Sequence, residues 1–346
     1  MRAWTIEQTG IKAVQKDISP KPPGLGEARI AIAACGLNFA DLLMQDGTYQ
    51  ERPSVPFIPG MEIAGTVVEL GPQTTGPAIG SRVALVAGHG GLAQQGCFPV
   101  TRLVPLPASM SFTDAAAFQI AYGTSHLALD HRAHLQPGET LLVFGAAGGV
   151  GLTAVELGKK MGARVIACAR GADRLAVAQA AGADILIDSE SPNLKDQLKA
   201  LGGVDVVYDP VGGAGFDAAL RACKPEGRLL TIGFASGTVP QIPANLLLVK
   251  NLTVIGLYFG GYLTFAPKRL AASMQTLFGW YAQGGLHPHI SHILPFDKLH
   301  DGMDLLRNRK ATGKVVITMG ALADQSSIAS SGASSGTEMA RSARVP

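Results

Sequence analysis

Along its first third the chain alternates short apolar runs with Gly/Pro-rich breaks. Residues 29–34, 63–70 and 82–86 read as strands, with PKPPGLGE and GPQTTGPAIG among the breaks between elements. That spacing predicts a β-rich, barrel-like unit. From about Phe118 the pattern changes. LLVFG leads into a helix through Lys160, RVIACA into a helix over 173–181, and then DILID, VDVVYD and RLLTIGF follow with helical stretches between them. Uninterrupted apolar strands alternating with helices predict a doubly wound parallel sheet. An amphipathic stretch over 268–283 and the strand-like KVVITMG lead the chain back towards its first part. The expected fold class is therefore α/β, with 119–261 as a nucleotide-binding domain and 1–118 plus 262–320 as a discontinuous β-rich domain. The Ser-rich, aperiodic segment 321–346 reads as a flexible tail.

Composition narrows the function classes. A length of 346 residues exceeds one ordinary core, and 47% hydrophobic against 16% charged residues is globular in character. A net charge of +3 with no dense Lys/Arg run argues against nucleic acid as a partner. No apolar run reaches the roughly 18 residues of a membrane span, and the N-terminus lacks a basic-then-apolar leader pattern. The four cysteines are scattered and form no CxxC pair, so neither a disulfide framework nor a zinc knuckle is expected. A cytoplasmic enzyme acting on a small molecule is the default.

The sharpest chemical signal is VFGAAGGVG. An apolar strand runs into Gly145, Ala146, Ala147, Gly148, Gly149, Val150 and Gly151, and a helix begins there. Binding a pyrophosphate needs a tight turn, a backbone without side chains, and the free N–H groups of a helix N-terminus. The strand-before, helix-after context favours a dinucleotide over a structural turn. Gly233 and Phe234, ending RLLTIGF, are further candidates for the cofactor's edge of the sheet. At the end of the second strand an acid would select NADH and a cation NADPH. This chain places Arg170 there and Arg174 one helical turn on, with Asp173 read as a helix cap, so NADPH is the expected cofactor.

The runs CGLNFADLLMQDGTYQ, PFIPGMEIAGTVVELG, AYGTSHLAL, GAAGGVG, DPVGG and ATGKVVI, in this order, resemble the zinc-independent medium-chain dehydrogenase/reductases, and within them the NADPH:quinone oxidoreductases of the zeta-crystallin kind. The resemblance spans roughly residues 1–320. It implies a GroES-like catalytic domain, a Rossmann domain and a cofactor in the cleft. It also implies that Asn38 and Asp41 lie beside the nicotinamide, Tyr49 in the substrate cleft, Thr124 near the cofactor, and Arg174 near the 2′-phosphate. Zinc-dependent relatives use a Cys and a His-Glu pair where this chain has Asn38 and Met61-Glu62, a poor zinc donor set; no metal is expected. The clustered histidines His287, His289 and His292 read as incidental, as do His131 and His134, and the GxSxG match at Gly332–Gly336 reads as noise.

The expected reaction is hydride transfer from NADPH to a quinone. An enoyl- or acrylyl-CoA or other α,β-unsaturated carbonyl reductase is the alternative, and an idle NADPH-binding protein the rival from another class. The apolar run over 252–259 suggests an edge strand that pairs with its twin, hence a homodimer.

Overall fold

The computed structural model describes residues 1–320. The tail expectation and the GxSxG match lie outside the described residues. Six strands form one all-parallel sheet, in the order Ile185–Asp188, Arg164–Ala169, Thr140–Phe144, Val204–Asp209, Cys223–Thr231 and Thr253–Gly256. Its strands read as continuous apolar runs because both faces are covered. Leu141, Val143, Val206 and Tyr208 pack to one side. Leu142, Phe144, Ile166 and Val207 pack to the other, in the cluster that includes helices Leu194–Ala200 and Ala214–Ala222. The strand order reverses at Thr140–Phe144, which is where open α/β sheets place their ligand crevice.

A second, seven-stranded sheet is built from both ends of the chain. Ile290–Pro295 and Lys314–Thr318 add to Glu27–Leu37, Glu62–Leu70, Arg82–Val86 and Val104–Pro105, while Gln95–Pro99 pairs with Glu27–Leu37. The pair Ile290–Pro295 and Lys314–Thr318 is parallel and the remaining pairings are antiparallel. Alternation sends Ile63, Val83 and Leu85 into one core and Ala64 and Ala84 to the other face, and in Glu27–Leu37 the register shift between Ile32 and Ala34 keeps Ile30 and Ile32 with the first and turns Ala34 to the second. That small-residue face lets helix Phe112–His126 approach closely. A Cβ at Gly36 would collide with the carbonyl oxygen of Ala116 on this helix. The same helix packs against Gly149–Lys160 of the parallel sheet's layer, so one element ties both sheets together.

The observed elements match the sequence expectations to within a few residues. Strand 82–86 has the same bounds as Arg82–Val86, 29–34 lies inside Glu27–Leu37, and 173–181 is observed as Ala172–Ala180. Asp173 does not cap that helix. The cap is Gly171, at φ +75°, and Asp173 lies in the first turn, where its charge still favours the dipole's positive end. Among the described residues no helix is long and apolar enough to cross a membrane.

Candidate functional site

Two features meet between the sheets: the glycine loop after Thr140–Phe144, and a buried polar cluster at the end of Glu27–Leu37. The loop turns at Gly145, whose φ of +57° suits a residue without a Cβ. Gly148 N–H closes the turn on the Gly145 carbonyl at 2.8 Å, and helix Gly149–Lys160 begins. A Cβ at Gly151 would run into the Gly145 carbonyl, so the helix can approach its strand only with glycine there. The N–H groups of the helix's first turn have no partner within the helix, which is the condition for holding an anion there. Ser125 braces the loop: its Oγ donates to the Val150 carbonyl at 2.9 Å and contacts Thr153 Oγ1 at 2.8 Å and Tyr208 Oη at 3.0 Å. Thr124 is buried on the same helix, but the bonds to the loop come from its neighbour Ser125.

The cluster centres on Lys314. Its Nζ donates to Glu62 Oε2 at 2.8 Å, to Asn38 Oδ1 at 2.7 Å and to the Leu37 carbonyl at 3.0 Å, and the residue is only 5% exposed. Glu62 is fully buried; its Oε1 accepts from the Ile120 N–H at 2.9 Å. Asn38 Nδ2 donates to Glu62 Oε2 at 3.1 Å and to the Gly36 carbonyl at 3.3 Å. Asp41, also fully buried, accepts the Asn38 backbone N–H at 2.8 Å through Oδ2, while its Oδ1 has no partner among the described residues. Burial pushes the Asp41 carboxyl up to about 7 despite that hydrogen bond and the Lys314 charge. The Cys35 thiol is driven well above its ordinary value by burial and by the neighbouring Asp41 and Glu62 charges.

Loop and cluster are hydrogen-bonded through two consecutive residues. Gly313 N–H donates to the Ala147 carbonyl at 2.8 Å, and the next residue is Lys314. Tyr49 lies at the cleft's rim, 6.4 Å from Tyr258 in an edge-on arrangement, and burial raises its hydroxyl above the ordinary value. Tyr258, from the other sheet's layer, donates to Glu51 Oε1 at 2.6 Å, a bond that crosses the cleft. At the crevice's far side Asp209 Oδ1 accepts the N–H groups of Val211 and Gly212 at 2.7 and 2.9 Å, folding DPVGG beside Gly233 and the half-exposed Phe234.

At the end of the second strand the picture is richer than the sequence reading. Arg170 pairs with Glu190 at 3.0 Å, both side chains being about two-thirds exposed, and Gly171 N–H donates to Asp188 at 3.2 Å. Both acids come from the end of the neighbouring strand and were not counted in the sequence reading. Arg174 donates to the Arg309 carbonyl, and Arg309 in turn donates to the Ala235 carbonyl at 2.6 Å, so a third arginine joins this corner.

The sequence reading brought Asn38, Asp41, Tyr49 and residues 145–151 to the cleft but assigned no role to Glu62, Lys314, Ser125, Tyr258 or Arg309. The available signal for Lys314 was a lysine opening the apolar strand KVVIT, since a buried lysine requires a counter-charge. Among the described residues no group of three or more His, Cys, Asp or Glu stands close enough to hold a metal ion.

Asp41 gives a pH test. Between about pH 4 and about pH 7 the unfolded chain loses this proton while the folded chain keeps it, so stability falls across that window and the penalty is constant above it. Asp41→Asn keeps an acceptor for Asn38 without the charge. Its stability relative to the parent chain should rise from pH 4 to pH 8 by up to about 4 kcal/mol. Urea unfolding at several pH values checks this; a pH-independent difference would contradict it.

Comparison with known proteins agrees with this geometry. Residues 24–108 match the alcohol dehydrogenase GroES-like domain and residues 149–277 the family described as zinc-binding dehydrogenase. The chain is 42% identical over 323 residues to a quinone oxidoreductase-like protein 2 homolog of Nematostella vectensis, covering 91% of this chain and 88% of that one. It is 31% identical to the human synaptic vesicle membrane protein VAT-1 homolog, covering 90% and 83%. The quinone oxidoreductase of Thermus thermophilus, solved also in complex with NADPH, superposes with a TM-score of 0.82 at 34% identity, covering 92% and 100%. The chain belongs to the quinone oxidoreductase-like family of zinc-independent medium-chain dehydrogenase/reductases.

Proposed function

We propose that this protein is an NADPH-dependent reductase whose acceptor is a quinone, bound in the cleft between Tyr49 and the glycine loop. The observation that carries the reading is the direct hydrogen-bonded link from the loop, through Gly313 and Lys314, to Asn38. A dinucleotide on the loop and an acceptor beside Asn38 would then share one rigid frame. The loop suits a pyrophosphate, because Gly145, Gly148, Gly149 and Gly151 keep side chains away while the helix N-terminus supplies N–H groups and a positive dipole end. Gly233 and Phe234 border the same crevice. Arg174, Arg170 and Arg309 give the adenosine end the cations that a 2′-phosphate needs, and the Arg170–Glu190 pair, being exposed, is weak enough to exchange for it.

Bound NADPH supplies the hydride. The chain's own work is orientation and proton handling. Tyr49 stays protonated well past neutrality and can donate to an acceptor oxygen as negative charge develops there. Asp41 holds the Asn38 backbone, and Asn38 lines the nicotinamide side of the cleft. A quinone's product oxygens can take their protons from water, so Tyr49 orients more than it catalyses. An α,β-unsaturated thioester or ketone would demand more of it, because its enolate must be held until it is protonated.

Among the described residues the edge strand Thr253–Gly256 has a neighbour in its sheet on one side only, and Leu248 and Val249 in the helix before it are strongly exposed. We therefore propose a homodimer built across that edge. Sedimentation at micromolar concentration should give twice the chain mass; a monomer would refute it.

NADPH should bind at least tenfold tighter than NADH, and Arg170→Ala combined with Arg174→Ala should remove most of that preference. Fluorescence titration of both cofactors decides it, and equal affinities in the parent protein would reject the NADPH assignment.

The acceptor is tested by NADPH oxidation with ortho- and para-quinones against enoyl-CoA esters. Quinones should support faster turnover, and Tyr49→Phe should then lower kcat by less than about tenfold, the scale of one orienting hydrogen bond. Faster turnover with the thioester, and a loss above about a hundredfold in the variant, would instead identify an enoyl reductase using Tyr49 as its acid.

A further inference from the structure

Lys314 enters the reading above only as one link of the frame, yet its ammonium is fully bonded at the site. Its three acceptors are Glu62 Oε2, Asn38 Oδ1 and the Leu37 carbonyl, which use all three protons of an ammonium. Glu62 is equally committed: Oε1 to the Ile120 N–H, Oε2 to Lys314 and to Asn38 Nδ2. Between them they surround the Asn38 amide with unlike neighbours. Its oxygen meets an ammonium, while its nitrogen meets a carboxylate and the Gly36 carbonyl. Turning the amide by half a rotation would set NH2 against the ammonium and oxygen against two acceptors. All three contacts would then be repulsive.

We infer that Lys314 and Glu62 are positioning residues that lock the Asn38 amide in a single orientation and so make it an acceptor, not a donor, towards the cleft. Both amide protons are used inside the protein, and the oxygen's second lone pair is the one site left. An acceptor at that place suits a ligand N–H, such as that of a carboxamide, and cannot stabilise a developing oxyanion; that task falls to other donors such as Tyr49. The pair also adds no net charge, so the orientation is fixed without an uncompensated field at the reacting centre. The titratable groups around Glu62 are Lys314, Asp41 and Cys35.

This inference rests on the hydride-transfer reading of the cleft, and its test separates the two. Lys314→Met leaves Glu62 without its cation and lets the Asn38 amide turn. Turnover should fall by about thirtyfold or more. NADPH affinity should stay within about threefold, because the Gly313–Ala147 bond is made by backbone. Lys314→Arg, which keeps a cation, should recover most of the loss. The double variant Lys314→Met with Glu62→Gln removes both charges. The side-chain amide introduced by Glu62→Gln keeps an oxygen on the Ile120 N–H and turns an NH2 towards Asn38, which reverses the Asn38 amide. The double variant should therefore fold more stably than Lys314→Met, yet remain slow.

Recovery of parental turnover by the double variant would overturn the inference, since charge pairing alone would then explain Lys314. Turnover of Lys314→Met within threefold of the parent would overturn it as well. If the parent oxidises NADPH with no acceptor tested, the functional reading fails by itself. The orientation can still be read from the Asn38 side-chain amide protons in protein labelled with 15N-asparagine. They should exchange slowly in the parent and rapidly in Lys314→Met, and equal exchange rates would sink the lock.

Discussion

An ammonium and a carboxylate buried together must satisfy each other, and the Lys314–Glu62 pair imposes that constraint on everything around it. Removing one partner of such a pair leaves an uncompensated charge and typically costs about 3–5 kcal/mol. The pair therefore fixes the relative placement of three segments distant in sequence: the end of Glu27–Leu37, the start of Glu62–Leu70 and the start of Lys314–Thr318. Ile120, on the helix that spans both sheets, is held by the same carboxylate. The cleft floor is held by buried polar groups bonded to one another, and burial makes Asp41, whose Oδ1 has no partner among the described residues, hold its proton to about pH 7.

The rigidity extends to the dinucleotide loop because Gly313 precedes Lys314. One residue bonds the loop's Ala147 through its backbone and the next bonds Asn38 through its side chain. A shift of the loop by a fraction of an ångström would have to be absorbed by this short link or transmitted to Asn38. Close-packed interiors transmit such strain and do not dissipate it. The small-residue face of the seven-stranded sheet serves the same end from behind, since Gly36 and Ala116 let the spanning helix lie almost on the backbone.

Much of this was legible in the chain. Strands buried on both faces announce themselves as uninterrupted apolar runs, and the glycine loop follows from steric need at Gly145 and Gly151, so the sheet and the glycine turn were readable residue by residue. The cleft was less so. Asn38, Asp41 and Tyr49 entered through motif likeness and not through any periodicity. Lys314 and Glu62 stayed without a role because a buried ion pair 252 residues apart in sequence has no local signature. The acids beside Arg170 were missed for a related reason. Asp188 ends the neighbouring strand and Glu190 lies in the turn after it, and only the parallel pairing of Ile185–Asp188 with Arg164–Ala169 brings them to that corner.

The same separation of local from distant determinants explains why family membership fixes the chemistry more firmly than the acceptor. The groups proposed to grip a dinucleotide lie on strand ends and a helix terminus, which the sheet itself positions. The groups that would touch the acceptor lie on loops. Tyr49 and Glu51 follow the short helix Phe39–Gln45, and Tyr258 follows the edge strand, so across the cleft mouth they meet through the Tyr258–Glu51 bond and the edge-on contact of Tyr49 with Tyr258. That bond joins the two sheets' layers at a rim where the side chains are partly exposed, and an exposed hydrogen bond is worth little against solvent. A cleft whose floor is pinned by buried charge and whose mouth is held by a weak contact can keep the hydride geometry constant while admitting acceptors of different size.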